Sequence, residues 1–245
     1  MALRLAARGR LGGKPAVHGL PAAPRLAGVT ACVLLLGGSF DPVHNGHLAL
    51  GRAFVQLLGA AELRVIPAVP WQKSALVATA QQRADMAALA FADEPYRVVV
   101  DRQEIDRGRP TYTVETLRAL RTQLGATVPL CFLMGADQLQ RLDTWHAWRD
   151  LFTLAHLCVA TRPGFTLDGP DVPRAVAAEF TARLAAPQRL CGQPAGLTCI
   201  APDLAVDVSS TAIRTALENG IDAGSLIPAP VLDYIEQHKL YKKYN

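Results

Sequence analysis

The sequence predicts an α/β fold: a doubly wound parallel sheet flanked by helices, with a small helical part at the C-terminus. Three observations carry this expectation. From residue 29 onward, short apolar runs alternate with helical segments, the order that builds a parallel sheet through crossover helices. The first run, residues 29–36, is apolar except for Thr30, as in a strand covered on both faces. A glycine-rich loop follows that run directly and opens a helix. Right-handed crossovers then place the strand C-termini along one edge, where ligands bind.

Each element follows from its own pattern. Residues 29–36 form the first strand, and 47–58 a helix with Leu48, Phe54, Val55 and Leu58 toward the core. Glu62–Pro67 is a short strand, and 67–78 a loop punctuated by Pro67, Pro70 and Trp71. Residues 81–91 are helical and Arg97–Val100 a third strand. Residues 114–124 form a helix ended by Gly125, and 129–134 a strand. Another strand at 155–160 runs into Arg162-Pro163-Gly164. An alanine-rich helix at 172–184 precedes a short strand at 197–200. Helix Ser210–Glu218 stops at Asn219-Gly220, and 231–237 is the closing helix.

The 245 residues suffice for one large domain, and 50% hydrophobic with 19% charged content excludes global disorder. The longest apolar runs, 31–36 and 86–92, are far too short to span a membrane. The net charge of +4 is misleading, because Arg4, Arg8, Arg10, Lys14 and Arg25 supply five positive charges in an acid-free tail. The rest of the chain is therefore nearly neutral, which argues against a broad nucleic-acid-binding face. Residues 1–28 read as a disordered extension or an over-long start; a transit peptide and a nucleic-acid tail are the competing readings. Residues 29–245 form the single domain. Cys32, Cys131, Cys158, Cys191 and Cys199 show no CxxC spacing. They read as reduced, buried thiols of a cytoplasmic protein rather than a disulfide or zinc framework.

The first chemical constellation is Gly37-Gly38-Ser39-Phe40-Asp41-Pro42-Val43-His44-Asn45-Gly46-His47. Gly37 and Gly38 admit a ligand close to the backbone. Free amides at the next helix start attract anions. His44 and His47, three apart, share a face there and can donate hydrogen bonds to phosphate oxygens as charge builds. The segment is neither GxGxxG nor a P-loop, and His-x-x-His alone supplies too few ligands for a metal. The second constellation is Val208-Ser209-Ser210-Thr211-Ala212-Ile213-Arg214. Taken alone it is an N-cap, with an arginine one turn in that can reach back to phosphate.

The stretch GGSFDPVHNGHL closely resembles the signature of the bacterial nicotinate-nucleotide adenylyltransferases, part of the HxGH nucleotidyltransferase superfamily. Residues 208–214 resemble that family's (I/V)SSTxIR motif, and the likeness runs in order from about residue 33 to 241. It implies a Rossmann-like sheet and ATP contacts from Gly37, Gly38, Ser39, Phe40, His44, His47, Gly135, Asp137, Ser209, Ser210, Thr211 and Arg214. His44, His47, Lys73 and Arg214 are the implied catalytic set.

For the acceptor, Lys73 in Pro70-Trp71-Gln72-Lys73 is one of five lysines in the chain. Family members commonly carry a proline and a histidine where this chain has Trp71 and Gln72. Tyr112 and Thr113 open a helix whose amides suit a carboxylate. Trp145 and Trp148, three apart, are expected on one helical face, with Trp148 in the core and Trp145 stacking on a flat ring. The resemblance implies acceptor contacts from Asp41, Lys73, Tyr112, Thr113, Trp145, His146 and Arg162. The C-terminal residues, including Leu240 and Tyr241, resemble the family's ending and carry no expected chemistry.

The implied reaction is adenylyl transfer from ATP to nicotinate mononucleotide, in line and without a covalent enzyme intermediate. Mg²⁺ is expected to arrive with ATP, since no carboxylate cluster forms a dedicated cage. The implied partners are these two small molecules, with no nucleic acid and no membrane, and with a homo-oligomer left open. Three alternatives stand beside this reading: a sister enzyme acting on nicotinamide mononucleotide or phosphopantetheine, a non-catalytic nucleotide-binding regulator, and a nucleic-acid role resting on the N-terminal arginines.

Overall fold

A computed structural model describes residues 32–70, 76–161, 164–201 and 208–242. The expectations for residues 1–28, for the start of the first strand at 29–31, and for Trp71, Gln72, Lys73, Arg162 and Pro163 lie outside the described residues.

The chain alternates strand and helix in the order β1 (Val33–Gly38), α1 (Asn45–Leu58), β2 (Glu62–Pro67), α2 (Ala80–Ala90) and β3 (Arg97–Val100). It continues through α3 (Gln103–Asp106), α4 (Thr113–Leu124), β4 (Leu130–Gly135), α5 (Ala136–Leu139), α6 (Leu151–Leu154) and β5 (His156–Ala160). Helices α7 (Arg174–Arg183) and α8 (Pro187–Leu190) lead to β6 (Thr198–Ala201), then α9 (Ser210–Glu218) and α10 (Ala229–Gln237). All six strands pair in parallel in the order β3-β2-β1-β4-β5-β6. The sheet is doubly wound, as the alternation of elements predicts. Its direction of winding reverses between β1 and β4, and in such sheets the crevice at that reversal holds the ligand.

Two apolar layers sandwich the sheet, because successive strand residues face opposite sides. Leu34, Leu36, Leu63, Val65, Cys131 and Leu133 point to one face, under α1, α2, α9 and α10. Val33, Leu35, Ile66, Leu130 and Phe132 point to the other, under α4, α6 and α7. Helix α2 begins where Thr79 and Gln82 cap each other: the Gln82 amide donates to the Thr79 hydroxyl at 3.2 Å and the Thr79 amide to the Gln82 side chain at 2.9 Å.

Three expectations are corrected. The first strand extends through Gly37 and Gly38, which stand in register with Ile66 and Pro67, so the glycines end the strand rather than begin the loop. Trp145 and Trp148 do not share a helical face. They fall in successive 3₁₀ turns, Leu142–Thr144 capped by Trp145 and then Trp148–Asp150, and Ala147 between them has φ 49°. Cys32 and Cys191 form a disulfide, where five reduced thiols were expected. Packing of α8 on α1 brings the residue after α8 to the start of β1, a contact that a sequence separation of 159 hides from a spacing argument. Cys131, Cys158 and Cys199 are buried free thiols.

Candidate active site

A cleft of about 1010 Å³ opens along the C-terminal ends of β1, β4 and β5. The β1–α1 loop forms one wall and the start of α9 the facing wall; Gly135–Gln138 and the segment from Gly164 to Asp171 complete it. It therefore sits at the winding reversal.

The β1–α1 loop is built around a close approach. A side chain on Gly38 would meet the Phe40 ring at 2.8 Å. Phe40 itself has φ 50° and is 1% exposed. A non-glycine residue in the left-handed region is held there only by its surroundings, and here the ring is wedged between Gly38 and His47, whose ring centroid lies 4.9 Å away. Phe40 thus shapes the loop with its side chain and leaves the backbone to the cleft.

His44 is the N-cap of α1, and His47 lies in the helix's first turn. Their rings stack at 3.8 Å, so the spacing of three does place them together. The His44 amide donates to His47 Nδ1 at 3.2 Å. That bond makes Nδ1 the acceptor and leaves the proton of the neutral ring on Nε2. Burial pushes His44 down to a pKa of about 4, so it is neutral at pH 7. Its Nδ1 is buried and has no hydrogen-bond partner among the described residues.

The facing wall is fastened to this loop. Ser209 caps α9 by accepting the Ala212 amide at 3.2 Å. The Ser210 hydroxyl donates to the Pro42 carbonyl at 2.9 Å. Arg214 donates from Nη1 to the Asp41 carbonyl at 2.6 Å and from Nη2 to Thr211 Oγ1 at 3.4 Å. Ser209, Ser210, Thr211 and Arg214 all line the cleft, as do Gly37, Gly38, Ser39, Phe40, His44 and His47. Gly135 and Asp137 line it from β4, where the Asp137 carboxylate folds back so closely over Gly135 that a Cβ there would lie 2.6 Å from it.

The residues expected at the acceptor separate into groups. Tyr112 and His146 lie ring to ring at 4.6 Å, and Trp145 meets the edge of Phe132 at 6.2 Å. None of these, nor Thr113, lines the cleft. Tyr112, Trp145 and Phe132 belong to the apolar layer on the other face of the sheet, and Phe132 reaches toward Gly37, where a Cβ would stand 3.4 Å from its ring. The first amide of the α4 cap is already used, since Tyr112 N donates to the Glu115 carboxylate at 3.2 Å. Asp41 lines the cleft, and its carboxylate is 1% exposed and accepts the Val77 amide (2.9 Å), the Ala78 amide (3.0 Å) and the Tyr241 hydroxyl (2.7 Å). These bonds hold the loop together from inside.

Among the described residues, no group of three His, Cys, Asp or Glu side chains converges as a metal site. No described helix is long and apolar enough to cross a membrane.

Comparisons with known proteins show the family. A profile described as cytidylyltransferase-like matches residues 35–216. A protein of Herminiimonas arsenicoxydans named "Probable nicotinate-nucleotide adenylyltransferase" is 54% identical over 215 residues, 87% of this chain and 98% of the relative. One of the same name from Laribacter hongkongensis is 48% identical, over 85% of this chain and 93% of the relative. The chain belongs to the nicotinate-nucleotide adenylyltransferase family. The solved structure of Plasmodium falciparum nicotinic acid mononucleotide adenylyltransferase complexed with NaAD superposes with a TM-score of 0.66 at 16% identity, covering 86% of this chain and 97% of that one. At that identity the likeness concerns the fold, and it agrees with the Rossmann-like sheet.

For a nicotinate-nucleotide adenylyltransferase, three positioning side chains escaped the motif reading. Arg83 is 2% exposed and donates from Nη1 to the carbonyls of Ser39 and Ala68, both at 2.7 Å, tying the β1–α1 loop to the end of β2. Its signal was present: an arginine on the stripe of Met86, Ala87 and Ala90, the buried side of α2. Glu104, also buried, accepts the Val69 amide at 3.2 Å and the Thr116 hydroxyl at 2.7 Å. Burial pushes its carboxyl pKa upward. Tyr241 had no local signal. The cleft wall from Gly164 to Asp171 was also missed, because it is irregular and carries no motif.

Proposed function

We infer that the protein transfers the adenylyl group of ATP to nicotinate mononucleotide, giving nicotinate adenine dinucleotide and diphosphate in NAD biosynthesis. The observation that carries this is the pair of stacked imidazoles at the start of α1, in the cleft at the winding reversal, faced by Ser209–Arg214 in a chain 54% identical to a named relative.

The acceptor's 5′-phosphate oxygen attacks the α-phosphorus of ATP. A new P–O bond forms as the bond to the β-phosphate bridge breaks, and diphosphate leaves. The nucleophile is already anionic, so no general base and no covalent enzyme intermediate are needed. Catalysis then consists of positioning and of stabilising charge on the pentavalent phosphate. His47 donates from Nε2 to the reacting phosphate. His44, neutral after desolvation, donates a hydrogen bond without adding a charge. The α1 amides attract the same anion. Arg214 and the Ser209–Thr211 turn hold the β- and γ-phosphates, and Lys73 offsets charge on the acceptor side. Mg²⁺ enters as Mg·ATP. The aromatic group of Tyr112, Trp145 and His146, with Thr113 at the start of α4 and Arg162, recognises the pyridine carboxylate. The reaction is assigned to the cytoplasm and involves no nucleic acid.

The test is diphosphate release from Mg·ATP with nicotinate mononucleotide, nicotinamide mononucleotide and phosphopantetheine in parallel. Strong preference for the first supports the whole reading. Equal use of the first two keeps the chemistry and removes the carboxylate-recognition assignment. No release with any of them, from folded protein that binds ATP, favours a nucleotide-binding regulator.

A further inference from the structure

Asp41 is buried against the cleft, and its carboxylate forms only a long ion pair with Arg214, without a hydrogen bond between the two side chains. Arg214 Nη1 lies 3.8 Å from Asp41 Oδ2, while the same nitrogen donates to the Asp41 backbone carbonyl at 2.6 Å. A desolvated carboxylate short of donors pulls in the nearest positive charge. This one is not short of donors: Val77 and Ala78 supply two amides, and Tyr241 supplies a hydroxyl from the far end of the chain. The Arg214 side chain stays 21% exposed and lines the cleft.

We propose that Tyr241 is a positioning residue for the nucleotide: by donating to Asp41 it keeps that carboxylate from capturing Arg214, whose charge stays directed at the polyphosphate of ATP. This rests on reading the cleft as the ATP site. Tyr241 is 3% exposed and has φ 58°, a conformation that a non-glycine residue keeps only when its surroundings enforce it. The enforced backbone aims the hydroxyl at Asp41. Burial and the neighbouring carboxylate push the phenol's pKa upward, so it remains a donor at neutral pH. The other nearby cation, Arg83, is engaged by the Ser39 and Ala68 carbonyls and does not substitute for the hydroxyl.

The experiment is calorimetric titration of Mg·ATP into the wild-type chain and Tyr241→Phe, followed by steady-state kinetics. Phenylalanine keeps the ring and removes one donor. The expected result is Mg·ATP binding weakened about tenfold, the size of one charge-assisted hydrogen bond. KM for nicotinate mononucleotide stays within about twofold and the melting temperature falls by only about 2–4 °C. Tyr234→Phe is the control: its hydroxyl, on α10, donates to Asp85 at 3.1 Å, and its removal leaves ATP affinity unchanged. A second pair of variants, Asp41→Asn with and without Tyr241→Phe, removes the charge that needs holding off; in that background the phenylalanine adds no further loss of ATP affinity. Unchanged affinity in Tyr241→Phe, an equal rise in both substrates' KM, or additive losses in the double variant overturns the proposal. Intact ATP binding without transfer to any acceptor sinks the proposed function and leaves this inference standing.

Discussion

At the scale of single residues, the proposed chemistry rests on two imidazoles with unlike surroundings. His47 has its tautomer set by the His44 amide, whereas His44 is desolvated and neutral. Replacing either with alanine removes one donor to the reacting phosphate, and turnover should fall by roughly 10²–10³, the range for one oxyanion donor; initial-rate assays at saturating substrates check this. His44 also makes stability depend on pH. The unfolded chain protonates it near pH 6.5 and the folded chain at about 4. Its contribution is therefore complete above 6.5 and is lost as pH falls toward 4, by about 3 kcal/mol. His156, whose pKa burial also lowers, adds to the loss on the acid side. Urea unfolding between pH 7 and 4 should show a shallower decline for His44→Gln than for the wild type. The histidine pair and the Ser209–Arg214 run could be read from the sequence because each is local, a few residues at a strand or helix end. Asp41 could not, since its partners lie 36, 37 and 200 positions away.

At the scale of elements, the strand and helix alternation was readable because both sheet faces are covered and the strands are short continuous apolar runs. The reading failed where periodicity assumes an unbroken helix. Trp145 and Trp148 share a face only if the turn between them is helical, and Ala147 at φ 49° breaks it. It also passed over α2, whose contribution to the site is one inward arginine. Arg83 joins the β1–α1 loop to the end of β2 through two carbonyls. Arg83→Met fills similar space but leaves both carbonyls without that donor, and should cost about 2–4 kcal/mol in urea unfolding. Activity should fall further than the folded fraction, because the loop bearing His44 loses a tether.

At the scale of the whole molecule, the two edges of the sheet have separate tasks. The Cys32–Cys191 disulfide sits at the N-terminal edge, and six residues of β1, about 20 Å, separate Cys32 from Gly38 at the cleft. Adding a thiol reductant should leave the diphosphate-release rate unchanged. Residues 1–28 are proposed to be dispensable for catalysis; the Herminiimonas relative is matched over 98% of its own length by 87% of this chain. A chain starting at residue 29 should keep its ATP-dependent rate and its melting temperature.

The β1–α1 loop is fastened by the C-terminal region. Asn45 is held by Ser225 and Leu226, Pro42 by Ser210, and Asp41 by Arg214 and Tyr241. The loop that carries the histidine motif precedes the side chains that lock it by 168 to 200 positions. A polypeptide still on the ribosome, or one ended early by a premature stop, carries the whole motif without its clasp. The loop and its clasp are therefore joined only by long-range folding, not by local structure around the motif.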